Sequence, residues 1–188
     1  SDKYFIHCDL GLNRGGKGDY TGITMGKFNG WQECKAADGK IEKRPKIYIA
    51  YMERITAGGP REEILFSEIR KRIYKLKDIG YNIGLVSFDG WQSFDSLQTL
   101  NSAGFKAEVF SVDRNPEAYY TLKAGILEGR IDYYYYQPFV EELQQLEEIK
   151  GSKIDHPRHG HKDVGDSAAA IAYKCAQGKP GVGIFGIN

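Results

Sequence analysis

The tightest constraint on this chain is the stretch Tyr4-Phe5-Ile6-His7-Cys8-Asp9-Leu10-Gly11. A mostly apolar run of this length reads as a buried strand, here ending in a carboxylate and a glycine. A carboxylate at the end of a buried strand is costly unless something pairs with it. A metal ion is an effective partner when several carboxylates converge, and two later stretches could converge on Asp9. Leu85-Val86-Ser87-Phe88-Asp89-Gly90 repeats the pattern of an apolar run closed by Asp-Gly. His161-Lys162-Asp163-Val164-Gly165-Asp166-Ser167 leads into Ala168-Ala169-Ala170, so two acidic residues open an Ala-rich helix. The rest of the chain reads as scaffold for these acidic positions.

The period of the apolar residues orders that scaffold. After the first strand comes a glycine loop, Gly11 to Asp19, and then strands over Tyr20–Phe28 and Lys46–Ile55, with an Asp38-Gly39 turn between them. Strands in succession with short links predict an antiparallel meander. Arg61–Ile79 places Leu65, Ile69, Ile73 and Leu76 on one helical face, and Gly80 ends it. A strand at Ile83–Asp89, a helix at Gln92–Ala103 with Phe94, Leu97 and Leu100 inward, and a strand at Ala107–Val112 follow. Helices are predicted over Pro116–Glu128, Phe139–Ile149 and Asp163–Ala176, with Tyr133–Tyr136 extended and Gly151–Gly160 a basic, His-rich loop. The expected fold is α/β: a mixed five-stranded sheet, three antiparallel strands then two parallel ones, flanked by helices. Asp9 and Asp89 then share one sheet end, where ligand sites of such sheets form.

Length sets the domain count: 188 residues suit one domain over 1–188, with a frayed Gly-rich tail from about 178. The chain opens almost directly on its first strand, as a domain excised from a larger protein would. Three cysteines, Cys8, Cys34 and Cys175, form no CxxC pair and fit a reducing compartment. No apolar run is long enough to span a membrane and no signal-peptide pattern opens the chain. A net charge of +1 implies no partner, but basic residues cluster locally. Lys35, Lys40, Lys43, Arg44 and Lys46 precede one strand, and Arg70, Lys71, Arg72, Lys75 and Lys77 crowd one helix. These are either solvated faces or a polyanion-binding surface. Candidates for phosphate contact are Lys43, Arg44, Arg70, Lys71, Arg158, His161 and Lys162.

An all-oxygen set of Asp9, Asp89, Asp163 and Asp166 suits Mg²⁺ or Mn²⁺. Two such ions can activate water and stabilise a leaving oxygen in phosphodiester cleavage. Asp163 and Asp166 also have a plain reading, as acidic residues that favour a helix start. Rival sites are weaker. Gly11-Leu12-Asn13-Arg14-Gly15-Gly16-Lys17 fits G-x-x-x-x-G-K, but Gly18 stands where a P-loop needs Ser or Thr, and a strand follows rather than a helix. His156, His159 and His161 with Cys175 lack a zinc framework and read as a polar loop beside the acidic site. His7 is a core residue or supports Asp9, Asp19 orients the glycine loop, Asp95 is a surface residue, and the tyrosine run is either an edge strand or a base-stacking surface.

The order strand-Asp9, strand-Asp89, helix-Asp163/Asp166 resembles the ribonuclease H-like superfamily. More closely, it resembles the C-terminal nuclease domain of tailed-phage terminase large subunits. The matching stretches are His7-Cys8-Asp9-Leu10-Gly11 with Asp19-Tyr20-Thr21-Gly22, and Phe88-Asp89-Gly90-Trp91-Gln92-Ser93. They continue with Leu122 to Arg130, Glu142-Leu143, Lys153-Ile154-Asp155-His156-Pro157 and Lys162-Asp163-Val164-Gly165-Asp166-Ser167. The resemblance implies metal-dependent cleavage of concatemeric double-stranded viral DNA during genome packaging, in the host cell cytoplasm. It implies as partners an N-terminal ATPase domain, a portal protein and a small terminase subunit. Family members differ over which acid of the last helix binds metal, and Asp163 is expected ahead of Asp166. The alternative is a DNA-gripping module that does not cut.

Overall fold

Both faces of β1 (Tyr4–Asp9) are covered, which is why its sequence is almost continuously apolar. In the computed structural model β1 pairs antiparallel with β2 (Thr21–Lys35) and parallel with β4 (Ile83–Phe88). The described residues are 2–11, 20–36, 38–57, 64–90, 93–114, 116–149, 153–158 and 160–177. The glycine loop from Leu12 to Asp19, the expected helix start at 61–63, His159 and the tail from 178 lie outside them. Among the described residues the sheet runs β5-β4-β1-β2-β3-β6, with β3 (Ile41–Ile55) antiparallel to β2, and β5 (Ala107–Val109) and β6 (Ile131–Asp132) parallel to their neighbours. Asp9 and Asp89 therefore end at the same edge, and the Asp89 N–H donates to the Cys8 carbonyl at 3.1 Å.

Alternation divides the core in two. Ile6, Cys8, Ile23, Met25, Val86 and Phe88 point to one face, where α1 (Phe66–Asp78) and α2 (Phe94–Ser102) cover them with Ile69, Ile73, Leu97 and Leu100. The other face is covered by α3 (Glu117–Leu127), α4 (Gln137–Gln145) and α5 (Asp163–Ala176). Fully buried Phe139 and Ile171 each contribute about 1.5–3 kcal/mol of transfer free energy here. Phe5 packs on this second face and His7 stacks edge-on against Phe110, so Asp9, in phase with both, faces α5. The contact between α5 and β2 is unusually close because Gly22 and Gly26 offer no side chains and α5 presents alanines. A Cβ on Gly22 would run into the Asp163 carbonyl, and one on Gly26 into Ile171 and the Tyr48 carbonyl. Thr24 and Ser167 join across this contact through their hydroxyls at 2.7 Å.

Several expectations are corrected. The sheet has a sixth strand, β6, because β3 is long enough to leave an edge open, and the Ile47 N–H donates to the Arg130 carbonyl there. Strands β2 and β3 each run for 15 residues rather than ending at Phe28 or starting at Lys46. Beyond Phe28 one face of the hairpin is exposed and the other partly covered, with Cys34 buried and Gln32 donating to the Glu128 carbonyl, and its backbone ladder continues to the turn, where Gly39 has φ +85°. Helix α4 stops at Gln145, and Glu147–Ile149 instead form β7, paired with β8 (Lys153–Asp155) inside the expected loop. Leu65 caps α1 and Phe94 opens α2, so both are exposed rather than inward. The tyrosine run forms no strand past Asp132. The Tyr134 and Tyr136 hydroxyls instead take the N–H groups of Met52 and Arg54, finishing the edge of β3 with side chains. All three cysteines are free and buried.

Candidate active site

The register of the sheet puts Asp9, Gly22 and Arg54 in one row across β1, β2 and β3. Asp9 and Arg54 flank a gap left by the missing side chain of Gly22, and the first residue of α5, Asp163, rests its backbone there. Asp89 closes the row from the β4 side. The charges of these carboxylates load Asp9. Asp9 is held far above the usual carboxylate range by burial, then by the charges of Asp166, Asp163 and Asp89, against the opposing charge of Lys162. A site this rich in unbalanced negative charge favours a cation.

Asp166 is tied down on both sides. It is 7% exposed and both oxygens are engaged, one by the Tyr119 hydroxyl at 2.6 Å and one by Lys162 Nζ at 2.8 Å. Burial raises its pKa, against which Lys162 and Tyr119 favour the charged form. Burial, then the charge of Asp166, keeps the Tyr119 phenol protonated and donating. Lys162 Nζ also reaches Asp113 at 2.8 Å. Burial works against its charge, but Asp166 and Asp113 prevail and hold it above the ordinary lysine range. Among the described residues no three His, Cys, Asp or Glu side chains are already drawn into a metal cage. Carboxylates crowded together without a cation repel one another.

A fifth acid completes the cluster. Glu142 of α4 is 2% exposed, and its Oε2 accepts the Gly165 N–H at 2.8 Å. Burial pushes its pKa up to about 7, against the pull of the Gly165 amide and Arg54. Arg54 Nη1 lies 3.6 Å from its other oxygen, and the Arg54 guanidinium sits 4.7 Å over the Tyr20 ring. Tyr20 in turn meets the His161 ring at a tilt of 59°, with centroids 4.4 Å apart.

The remaining candidates are more scattered. Lys162 and His161 border the acidic residues. Arg158 is exposed beyond β8. Arg70 and Lys71 ride on α1, across the sheet from α5, and bond to Asp95 and Glu68. Lys43 and Arg44 sit near the far end of the β2–β3 hairpin, where Arg44 pairs with Glu42 and Glu128. His156 and His161 have rings 6.5 Å apart, but Cys175 is buried near the opposite end of α5, so the described residues assemble no zinc set. His7 is a core residue, bonded through Nδ1 to Ser87 Oγ at 2.8 Å. Asp95 is an exposed partner of Arg70, as a surface residue should be.

Sequence reasoning assigned no role to Gly22, Arg54, Asp113, Tyr119 or Glu142. Two of these left a signal. Glu142 interrupts the apolar stripe Phe139, Leu143, Leu146, and Gly22 with Gly26 puts two glycines on one face of a strand. The others depend on pairing register and helix placement, which no local pattern encodes.

The mixed sheet, with acids at the ends of its first and fourth strands and at the start of its last helix, has a ribonuclease H-like fold. Solved structures of phage large terminases share it. The large terminase nuclease from thermophilic phage G20c superposes with a TM-score of 0.61 at 17% identity, over 93% of this chain and 82% of that one. The HK97 bacteriophage large terminase gives a TM-score of 0.59 at 14% identity, over 92% of this chain but only 39% of that longer one. No protein family and no curated protein matches the sequence itself.

Proposed function

We propose that this domain is a divalent-metal-dependent endonuclease that cuts double-stranded concatemeric DNA during phage genome packaging. The observation that carries this reading is the load on Asp9, a half-buried strand-end carboxylate facing three further carboxylates in the fold shared with phage large terminases. The donor set is all oxygen, which fits Mg²⁺ or Mn²⁺. Asp9, Asp89 and Asp163 would hold the ion. Asp166 would add a fourth oxygen donor, for a second ion, when Lys162 gives it up. The bound ions supply a water of lowered pKa and positive charge beside the leaving oxygen.

The protein's own groups do the rest. Tyr119 and Lys162 hold Asp166 in place. Arg54, in the same row as Asp9, offers a planar guanidinium to a phosphate. His161 and Lys162 border the same edge, and Arg158 with the basic residues of α1 and the β2–β3 hairpin are further candidates for the duplex backbone. An N-terminal ATPase domain, a portal protein and a small terminase subunit, met in the host cytoplasm, are the partners that go with this role. Among the described residues no helix is long and apolar enough to cross a membrane.

The second reading is a module that grips DNA without cutting it. What favours it is that Asp166 is already neutralised by Lys162. A nicking assay on supercoiled plasmid separates the two. The nuclease reading expects cleavage with Mg²⁺ or Mn²⁺ that chelation stops, whereas the gripping module binds DNA and leaves it intact at every metal concentration.

A further inference from the structure

We infer that Glu142 is a positioning residue that holds Asp163 in register with Asp9 and so sets the metal affinity of the site from a separate helix. This rests on the metal-dependent reading above. The first turn of a helix leaves N–H groups with no partner inside the helix. In α5 those groups belong to the turn that carries Asp163 and Asp166. The residue before the helix, Lys162, makes no side-chain cap, and its ammonium turns instead to Asp113 and Asp166. The cap comes from α4. Glu142 Oε2 accepts the Gly165 N–H at 2.8 Å, with the neighbouring Val164 N–H favouring the same carboxylate.

The position is an expensive one for a carboxylate. Glu142 is buried between Phe139 and Leu143 on the apolar stripe of α4, and its Oε1 has no hydrogen bond, only the Arg54 guanidinium at 3.6 Å. An apolar residue would pack there without that desolvation cost. The carboxylate is explained by what it holds. On the opposite side, Gly22 lets the Asp163 carbonyl rest directly on β2. The start of α5 is thus pinned from the sheet by Gly22 and from α4 by Glu142. Asp163 is the first helical residue, so it moves first when that turn frays. Outer partners that orient metal ligands change metal affinity or activity by about 10–100-fold when removed.

The test uses the full chain without DNA. Mn²⁺ affinity is measured by titration calorimetry and opening of the first turn by amide exchange at Val164 and Gly165. Glu142→Gln keeps an oxygen acceptor at the same reach, Glu142→Ala removes it, and Glu142→Asp withdraws it by one methylene. Glu142→Ala should weaken Mn²⁺ binding about 10–100-fold and speed exchange of both amides. Glu142→Gln should stay near wild type in both, with Glu142→Asp between them. If Glu142→Ala does not fold, the Gln and Asp pair carries the same comparison. Unchanged Mn²⁺ affinity and exchange in Ala and Asp variants overturn the inference, even with a lower melting temperature. So does a Gln variant as damaged as Ala. A wild-type chain that binds no Mn²⁺ overturns the nuclease reading and this inference together, whereas normal wild-type binding with unaltered variants overturns this inference alone.

Discussion

Asp163 and Asp166 have the same side chain and sit one turn apart, yet their surroundings differ. Asp163 enters at the gap above Gly22, while Asp166 has spent both oxygens on Tyr119 and Lys162. Asp163→Ala should abolish metal-dependent cleavage, and Asp166→Ala should leave a remnant that added Mn²⁺ partly restores. From sequence, each change should cost only the loss of a favourable end charge, about 0.3–1 kcal/mol. For Asp166 burial raises that figure: its loss orphans the Tyr119 hydroxyl, at about 1–3 kcal/mol. Nicking rates with matched melts check both halves, and a dead Asp166→Ala beside a leaky Asp163→Ala would reverse the ranking. His7 makes a separate claim. Burial, aided by Lys174, pushes its pKa down to about 3, while an unfolded histidine titrates near 6.5. Between those values the unfolded chain takes up a proton that the folded chain refuses. The neutral-His contribution is therefore complete above about pH 6.5 and is lost as pH falls, by up to about 1.4 kcal/mol per pH unit. His7→Leu should melt with a shallower pH slope between pH 6.5 and 4.5, and an equal slope would count against the assignment. The carboxylates were legible in the sequence because each ends an apolar run or opens a helix. The tie of Asp166 to Tyr119 was not, because the two lie far apart in the chain and only the packing of α3 on α5 joins them.

At the scale of elements, the site depends on how closely α5 lies on β2. Gly22→Ala should force the start of α5 off the strand, costing about 1–3 kcal/mol of stability and most of the cleavage in whatever folds. Gly26→Ala strains the same helix further along, against Ile171 and the Tyr48 carbonyl. Its melting temperature should fall comparably, while the folded protein keeps cutting. Equal loss of cleavage per folded molecule in the two variants would mean that Gly22 has no special relation to Asp163. The order of strands and helices was legible from apolar period and turn residues. The length of the β2–β3 hairpin was not, because the covered side of its outer half is carried by Gly30 and Gln32 before Cys34, so burial alternates there without an apolar alternation in the sequence. Strands β6, β7 and β8 escaped for a related reason. Two or three residues are too short for any period to register, and they exist only because β3 and a neighbouring loop offered an edge.

Taken whole, the molecule is a sheet with helices on both faces whose acids gather at one end, with the fold of the phage terminase nucleases. The proposed function requires that this end bind divalent metal with Asp9 as the ligand on which the others converge. The most direct measurement is the anomalous scattering of a crystal soaked in Mn²⁺, taken for the wild-type chain and for Asp9→Asn with matched melting temperatures. The expected result is a manganese peak bonded to oxygens of Asp9, Asp89 and Asp163 in the wild type, and its loss in a folded Asp9→Asn. A peak that survives Asp9→Asn, or one that stands only at His156 and His161, would contradict it.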